Sequence, residues 1–230
     1  MLTIARGDRE QTGMVRSAAM PDLTLYAEST WVSPWVFHAM VALEEKQLPY
    51  KLEVVPLPIP AAKRDELAAK AILGRVPILV HDDVWISESL AISEYLAESF
   101  PAPAYPRLFP ANLVERARAR QVMSMLRTSL FALREDRPTT TVFGRPTMRP
   151  MTENGKTEAA ELVRVATALV KPGKQTMFDE WCIADADLTL ALMRLVANQD
   201  PLPQHLLEYA VANWERRSVR RYIAHIPTTH

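Results

Sequence analysis

The chain has 230 residues, enough for one large domain or two small ones with a sizeable core. Lysine plus arginine and aspartate plus glutamate both number 27, so the formal net charge is zero and argues against a nucleic-acid or anionic-membrane partner. The single cysteine, Cys182, excludes an intrachain disulfide and a cysteine-rich metal site, and it fits the reducing cytoplasm. No apolar run approaches the ~20 residues that span a bilayer.

The first half of the chain alternates strand and helix patterns. Residues 1–20 are polar, lack the apolar core of a signal peptide, and are expected to form a peripheral N-terminal extension. Residues 23–26 predict a short strand. Pro34 then opens a helix after Ser33, a candidate N-cap, because a proline in the first turn loses no hydrogen bond. A second strand is predicted at 50–55 and a short helix at 61–72.

The stretch from 74 to 89 predicts a hairpin followed by a helix. Residues 78–80 read as a buried strand and 84–86 as its antiparallel partner, with a turn between them. Pro77 enters the first of these strands after Val76, where it removes a ladder donor, and a cis bond is one solution. The resulting β-α-β-α-β-β-α order predicts the thioredoxin-like arrangement of a parallel pair with an antiparallel edge.

Four prolines between residues 101 and 110 mark the best domain boundary in the chain. We therefore predict a thioredoxin-like domain over 21–101, a linker over 102–110 and an all-helical domain over 111–230.

Helical periodicity dominates the second predicted domain. A helix is expected over 113–133, a long loop over 134–150 and another helix from Thr152 to about residue 170. The most apolar helix, 183–196, is expected to be the buried centre of this half.

The whole span from about 23 to 223 resembles a cytosolic glutathione transferase, which implies a thioredoxin-like domain, a linker and an all-α helical domain. The likeness rests on the order and spacing of motifs across both halves: Val76-Pro77, Glu88-Ser89 with Ala91-Ile92 behind it, Ile183-Ala184-Asp185, and Arg116-Ala117-Arg118-Ala119-Arg120. The stretch from Glu115 through Arg134-Glu135-Asp136-Arg137-Pro138-Thr139 is similar to the bacterial YfcF-type branch.

The resemblance implies a catalytic role for Ser33, whose hydroxyl would hold the sulfur of glutathione, the co-substrate. A hydrogen bond to the thiolate and a helix N-terminus both lower a thiol pKa. The alternative is that Ser33 merely caps the helix, and the two roles are compatible. Ser29 and Thr30, in the same loop, are the competing hydroxyls.

The resemblance also places the rest of glutathione along the first domain. Val76 would pair its backbone with the cysteinyl part, in a geometry that Pro77 enforces. Glu88 would take the γ-glutamyl ammonium, and Ser89 the carboxylate. Lys63 is a candidate for the glycyl carboxylate, although a solvated helix lysine is the simpler interpretation.

The pocket for the electrophile should lie between the domains. Trp35, Met125 and Arg127 are the main candidates, with Ser129 and Phe131 beside them, although such residues at helical spacing usually belong to a core. An ion-pair network bracing the loop is favoured over a substrate role for Arg134 and Arg137.

Asp185 is expected to be structural, as the last residue of a capping box that begins at Cys182. Its replacement by alanine should then cost ~1–2 kcal/mol without affecting glutathione. Cys182, a weaker cap than a hydroxyl, is also expected to be structural. The spacing of His38, His81 and His205 suggests no metal.

The predicted function is a glutathione S-transferase that conjugates glutathione to electrophiles or uses it to reduce peroxides. The resemblance implies a cytoplasmic homodimer. Two alternatives stay open: a glutathione-dependent thiol reductase, which lacks a cysteine at the helix start, and a non-catalytic relative that serves protein interaction.

Overall fold

The structure, a computed structural model, describes residues 21–227. The N-terminal extension predicted for residues 1–20 lies outside the described residues.

The first half of the described chain forms a mixed sheet with helices. Its elements are β1 (Leu23–Glu28), α1 (Pro34–Glu45), β2 (Lys51–Val55), α2 (Ala61–Ala71), β3 (Ile78–His81), β4 (Val84–Ser87) and α3 (Ser89–Ser99). The strand order is β2-β1-β3-β4, with β1 parallel to β2 and antiparallel to β3, which is antiparallel to β4. The predicted thioredoxin-like fold is confirmed.

Helix α1 lies at the centre of the molecule. Every residue from Val36 to Leu43 is buried, and a helix apolar on all sides must be covered on all sides. It packs against α3 of the first half and against helices of the second half. Its only ionisable buried residue in that span, His38, therefore needs a partner inside the protein.

The second half is helical, as predicted. Its elements are α4 (Leu113–Thr128), α5 (Phe131–Asp136), α6 (Thr139–Phe143), α7 (Glu153–Leu169), α8 (Ile183–Ala197), α9 (Gln204–Trp214) and α10 (Arg217–Ile223). Helix α8 is buried from Ile183 to Leu195 and occupies the centre of this half, where the sequence placed it.

Two boundaries in the second half were predicted wrongly. The helix expected over 113–133 is broken at Leu130, whose φ of 62° is left-handed, and the loop expected over 134–150 contains the end of α5 and all of α6. No glycine or proline marks the break. It is stabilised by tertiary contacts: Leu130 is buried, and the amide of Leu133 donates to Glu158 on α7 at 2.9 Å.

Polar contacts connect the end of α1 to the linker and to the second half. The ammonium of Lys46, at the end of α1, donates to the carbonyls of Phe100 at 2.5 Å and Pro106 at 2.8 Å, and so ties α1 to the linker. Arg216 makes a bidentate ion pair with Glu45 at 2.6 and 2.8 Å. The cleft between the halves therefore has a defined shape.

Asp185 is fully buried at the start of α8. Its carboxylate accepts from the amides of Cys182 and Met177, each at 2.9 Å, and from the hydroxyl of Tyr209 at 2.8 Å. Burial raises the pKa of Asp185, although the three donors oppose that rise. The sequence indicated only the contact with Cys182.

The additional donors raise the expected cost of removing this carboxylate. Asp185→Ala should lower the free energy of unfolding by about 2–4 kcal/mol, because buried donors lose their acceptor. Urea denaturation measures the change, with Asp179→Ala, on an exposed carboxylate, as the matched control. Weaker glutathione binding at a temperature where Asp185→Ala is fully folded would contradict a purely structural role.

Candidate functional site

A cleft of about 280 Å³ lies between the two halves. The first half contributes the start of α1, the turn before β3 and the start of α3, and the second half contributes α4 and α5. The lining residues are Trp35, Arg75, Val76, Pro77, Glu88, Ser89, Arg127, Phe131 and Arg134. Seven of these were named as site candidates from the sequence: Trp35, Val76, Pro77, Glu88, Ser89, Arg127 and Phe131.

The loop between β1 and α1 is held by one buried carboxylate, Glu28, which is 1% exposed. It accepts from the amides of residues 30–33 at 2.6–2.9 Å. It also accepts from the hydroxyl of Thr30 at 2.5 Å. Donors from successive backbone groups fix the path of the loop and hence the position of the α1 N-terminus.

The three candidate hydroxyls differ in what they already bind. Thr30 uses its proton on Glu28, and Ser29 is exposed. Ser33 accepts from the amide of Val36 at 3.3 Å as the N-cap of α1, which leaves its own proton available to a ligand. Ser33 does not itself line the cleft, but Trp35, two residues further along α1, does.

The turn before β3 presents backbone groups to the cleft. The Val76–Pro77 peptide bond is cis. Within residues 21–227 the amide and carbonyl of Val76 make no hydrogen bond, since β3 begins pairing at Ile78. Both groups are therefore available to an extended peptide. Gly74 precedes this turn and packs on the backbone of Arg64, where a Cβ would collide.

Glu88 sits at the entrance to α3 with a φ of 71°, in a region that non-glycine residues rarely adopt. Its carboxylate pairs with Arg75 at 2.7 Å, and both side chains are more than half exposed. An exposed ion pair contributes little stability, so a ligand ammonium can share or replace this contact.

Ser89 connects the cleft to a buried network that sequence reasoning missed. Its hydroxyl is 3.1 Å from Nη2 of Arg127, and Arg127 also donates to Asp187 on α8. The other oxygen of Asp187 is 2.6 Å from Nδ1 of His38 on α1. The side chains of Asp187, His38 and Arg127 are 0, 6 and 12% exposed, so this network is largely dry.

The pKa shifts of Asp187 and His38 indicate which groups in this network are charged at neutral pH. Burial alone would raise the pKa of Asp187, but the charge of Arg127 and the contact with His38 outweigh it and hold the pKa below its usual range. Burial lowers the pKa of His38 despite the neighbouring Asp187. The network at neutral pH is therefore a carboxylate–guanidinium pair beside a neutral imidazole, whose Nδ1 lies 2.6 Å from the carboxylate.

Three further candidates for the site do not line this cleft, namely Lys63, Met125 and Ser129. The ammonium of Lys63 pairs with Glu66 at 2.9 Å, and Lys63 does not line the cleft. Met125 is partly buried against the hydrophobic core and does not line the cleft either.

One feature of the sequence could have indicated the buried network around Asp187. Asp187 is a charged residue in the middle of the most apolar helix, which requires a buried partner. Nothing in the sequence identifies that partner as His38 or Arg127, because both are distant along the chain.

No helix in residues 21–227 is long and apolar enough to cross a membrane. In the same range, no group of three or more histidine, cysteine, aspartate or glutamate side chains is arranged to hold a metal ion.

The imidazole of His38 predicts a specific pH dependence of stability. Because its folded-state pKa lies below the usual value of about 6.5, its contribution is complete above that pH and is lost as the pH falls. His38→Asn retains a donor for Asp187 but does not titrate. Between about pH 6.5 and 5, the stability advantage of the wild type should therefore shrink by up to about 1.4 kcal/mol per pH unit in urea denaturation. A pH-independent difference would contradict this assignment.

Comparison with known proteins agrees with this architecture. Residues 32–99 match the family model for the glutathione S-transferase N-terminal domain, and residues 112–227 match that for the C-terminal domain. A crystal structure of a glutathione transferase homolog from Burkholderia gl BGR1, with bound glutathione, is 34% identical. The match has a TM-score of 0.74 and covers 88% of this chain and 97% of that one.

Curated relatives match over shorter regions. Glutathione S-transferase U13 of Arabidopsis thaliana is 37% identical over 93 residues, which are 40% of this chain and 39% of that protein. Glutathione S-transferase U12 of the same plant is 34% identical over 113 residues, or 49% of this chain and 42% of that protein. The chain thus spans about two fifths of the length of these relatives. The two family models together, and the crystal structure matched over nearly its full length, show that the chain belongs to the glutathione S-transferase family.

Proposed function

We propose that this protein is a glutathione S-transferase that holds the tripeptide along Val76, Glu88 and Ser89 and stabilises its thiolate with Ser33. The observation that carries the proposal is the meeting of free backbone groups, an ammonium acceptor and a helix N-terminus at one interdomain cleft. The crystal structure with bound glutathione that this chain resembles supports the choice of ligand.

The cysteinyl and γ-glutamyl parts of glutathione each have a chemically matched partner in the proposal. The backbone of Val76 would pair with the cysteinyl residue, as one strand pairs with another. Glu88 would accept from the γ-glutamyl ammonium. The hydroxyl of Ser89 and the N-terminus of α3 would bind the γ-glutamyl carboxylate.

The contact between Arg127 and Ser89 changes the expected role of this arginine. The sequence analysis placed Arg127 in the electrophile pocket, whereas its guanidinium is within hydrogen-bonding distance of a proposed glutathione ligand. We therefore assign Arg127 to the γ-glutamyl end, where it orients Ser89 and adds positive potential. Asp187 and His38 hold it there.

The proposed reaction is a nucleophilic attack by the glutathione sulfur. For an aryl chloride, the carbon–sulfur bond forms, the carbon–chlorine bond breaks, chloride leaves with the bonding pair, and the thiol proton goes to solvent. For a peroxide, two glutathione molecules are oxidised to the disulfide while the peroxide is reduced to alcohol and water. A serine hydroxyl stabilises the thiolate without competing as a nucleophile.

The two alternatives have less support. A thiol reductase would need a reactive cysteine, and Cys182 is buried at the start of α8, where burial raises the pKa of its thiol. A non-catalytic interaction protein would not need the free backbone of Val76 and the carboxylate of Glu88 at one cleft. Retention on a glutathione-affinity column separates these functions, because an interaction protein without the ligand site would not be retained.

Two further expectations remain predictions. The homodimer and the relationship to the bacterial YfcF-type branch come from the resemblance alone, and neither the cleft nor the described network depends on them.

Replacing the proposed thiolate ligand tests the function directly. Ser33→Ala should raise the pKa of the bound glutathione thiol and lower kcat/KM with a chlorodinitrobenzene about 10- to 150-fold. A hydrogen bond to a charged group contributes about 1.5–3 kcal/mol. The ultraviolet absorbance of the bound thiolate, followed against pH, reports the thiol pKa.

Ser29→Ala is the matched control, because it removes an exposed hydroxyl from the same loop, and it should leave the thiol pKa in place. An unchanged thiol pKa in Ser33→Ala, with a shift in Ser29→Ala or Thr30→Val, would transfer the role to that residue.

A further inference from the structure

In the part of the chain that the structure describes, two arginines, one lining the cleft and one behind it, lack a carboxylate partner. Within residues 21–227, neither Arg134 on α5 nor Arg194 on α8 forms an ion pair, whereas Arg75, Arg127 and Arg137 each do. A buried, uncompensated charge is costly. Arg194 is buried and Arg134 is half-buried, and two such guanidiniums on the wall of one cavity suggest a site built for an anion.

Arg134 forms part of the cleft wall. Its guanidinium lies 5.1 Å from the ring centre of Trp35 and 5.4 Å from that of Phe131, and it donates to the carbonyl of Arg127 at 3.2 Å. Burial lowers the pKa of Arg134, and Glu158 opposes this only from a distance beyond an ion pair. The group is thus positioned by aromatic rings and one carbonyl, which leaves donors for a ligand.

Arg194 lies deeper. Its side chain is buried and donates to the carbonyl of Arg137 at 2.6 Å. Burial, and then the charge of Arg134, lowers the pKa of Arg194 to about 10, so it stays protonated at neutral pH. The repulsion between the two guanidiniums is the effect that an anion placed between them would remove.

A small cavity lies next to the cleft and shares Trp35 and Arg134 with it. It has a volume of about 30 Å³, and both guanidiniums line it together with Trp35, which also faces the cleft. The other charged or titratable groups on its wall are Asp187, neutralised by Arg127, and His38, which is neutral. The space suits a group the size of a carboxylate, and the larger cleft suits the molecule that carries it.

We propose that Arg134 and Arg194 bind the carboxylate of an anionic electrophile, so that this enzyme prefers acceptors carrying such a group. A planar carboxylate can bridge two guanidinium forks with charge-assisted hydrogen bonds. The proposal rests on the proposed transferase function, and it names the chemical class of the second substrate. The γ-glutamyl carboxylate of glutathione itself is assigned to the other end of the cleft, near Ser89.

The catalytic test compares a chlorodinitrobenzoate, with chlorine para to the carboxylate, with its methyl ester, and each kcat/KM is divided by the rate constant of the uncatalysed reaction with glutathione. The wild type should favour the carboxylate about tenfold or more in kcat/KM. Arg134→Met should lower that preference by at least about tenfold, as expected for one lost charge-assisted hydrogen bond. Arg134→Lys should restore part of it, and Arg118→Met, on an exposed arginine of α4, should preserve it.

A binding experiment separates this proposal from the proposed function. Calorimetry on the protein saturated with glutathione should show nitrobenzoate binding about tenfold tighter than nitrobenzamide, with the difference lost in Arg134→Met and in any folded Arg194→Met. If glutathione itself fails to bind, the proposed function is wrong, and nitrobenzoate is then tested on the free protein.

Three results would overturn the proposal. The first is equal binding of the acid and the amide. The second is a carboxylate preference that survives Arg134→Met. The third is a weaker affinity for glutathione in Arg134→Met without any change in the acid–amide ratio, which would mean that the arginines hold glutathione instead.

Discussion

The carboxylate of Asp187 is the group on which the cleft depends. It sits fully buried on α8 and is contacted by His38 from α1 and by Arg127 from α4. Arg127 then reaches Ser89 at the start of α3. The carboxylate of Asp187 thus connects α1, α4 and α8 to the proposed glutathione site. Because these side chains are largely shielded from water, breaking any of the contacts is costly.

Two buried carboxylates therefore fix opposite walls of the cleft. Glu28 fixes the loop that leads to Ser33, and Asp187 fixes the opposite wall through Arg127. Neither needs to touch a substrate. The guanidiniums of Arg134 and Arg194 have no carboxylate partner among the described residues and lie on the wall of the small cavity, away from Ser89. Their positive charge is the basis of the proposed selectivity for an anionic electrophile.

The fold and much of the proposed glutathione site could be predicted from the sequence, because both depend on local patterns. Val76-Pro77 and Glu88-Ser89 each lie in one short stretch whose neighbours define a strand or a helix start. The break at Leu130 and the partner of Asp187 could not be predicted, because they arise from contacts between distant segments. Helical spacing also does not show which face meets the cleft, so the sequence could not indicate that Lys63 and Met125 lie outside its lining.

A crystal structure of this protein with glutathione tests the central claim most directly. The account predicts an extended tripeptide paired with the backbone of Val76, its γ-glutamyl carboxylate on Ser89, and its sulfur within ~3.5 Å of the Ser33 hydroxyl. A tripeptide bound outside this cleft, or one whose sulfur lies on Ser29 or Thr30 with Ser33 still capping α1, would contradict it.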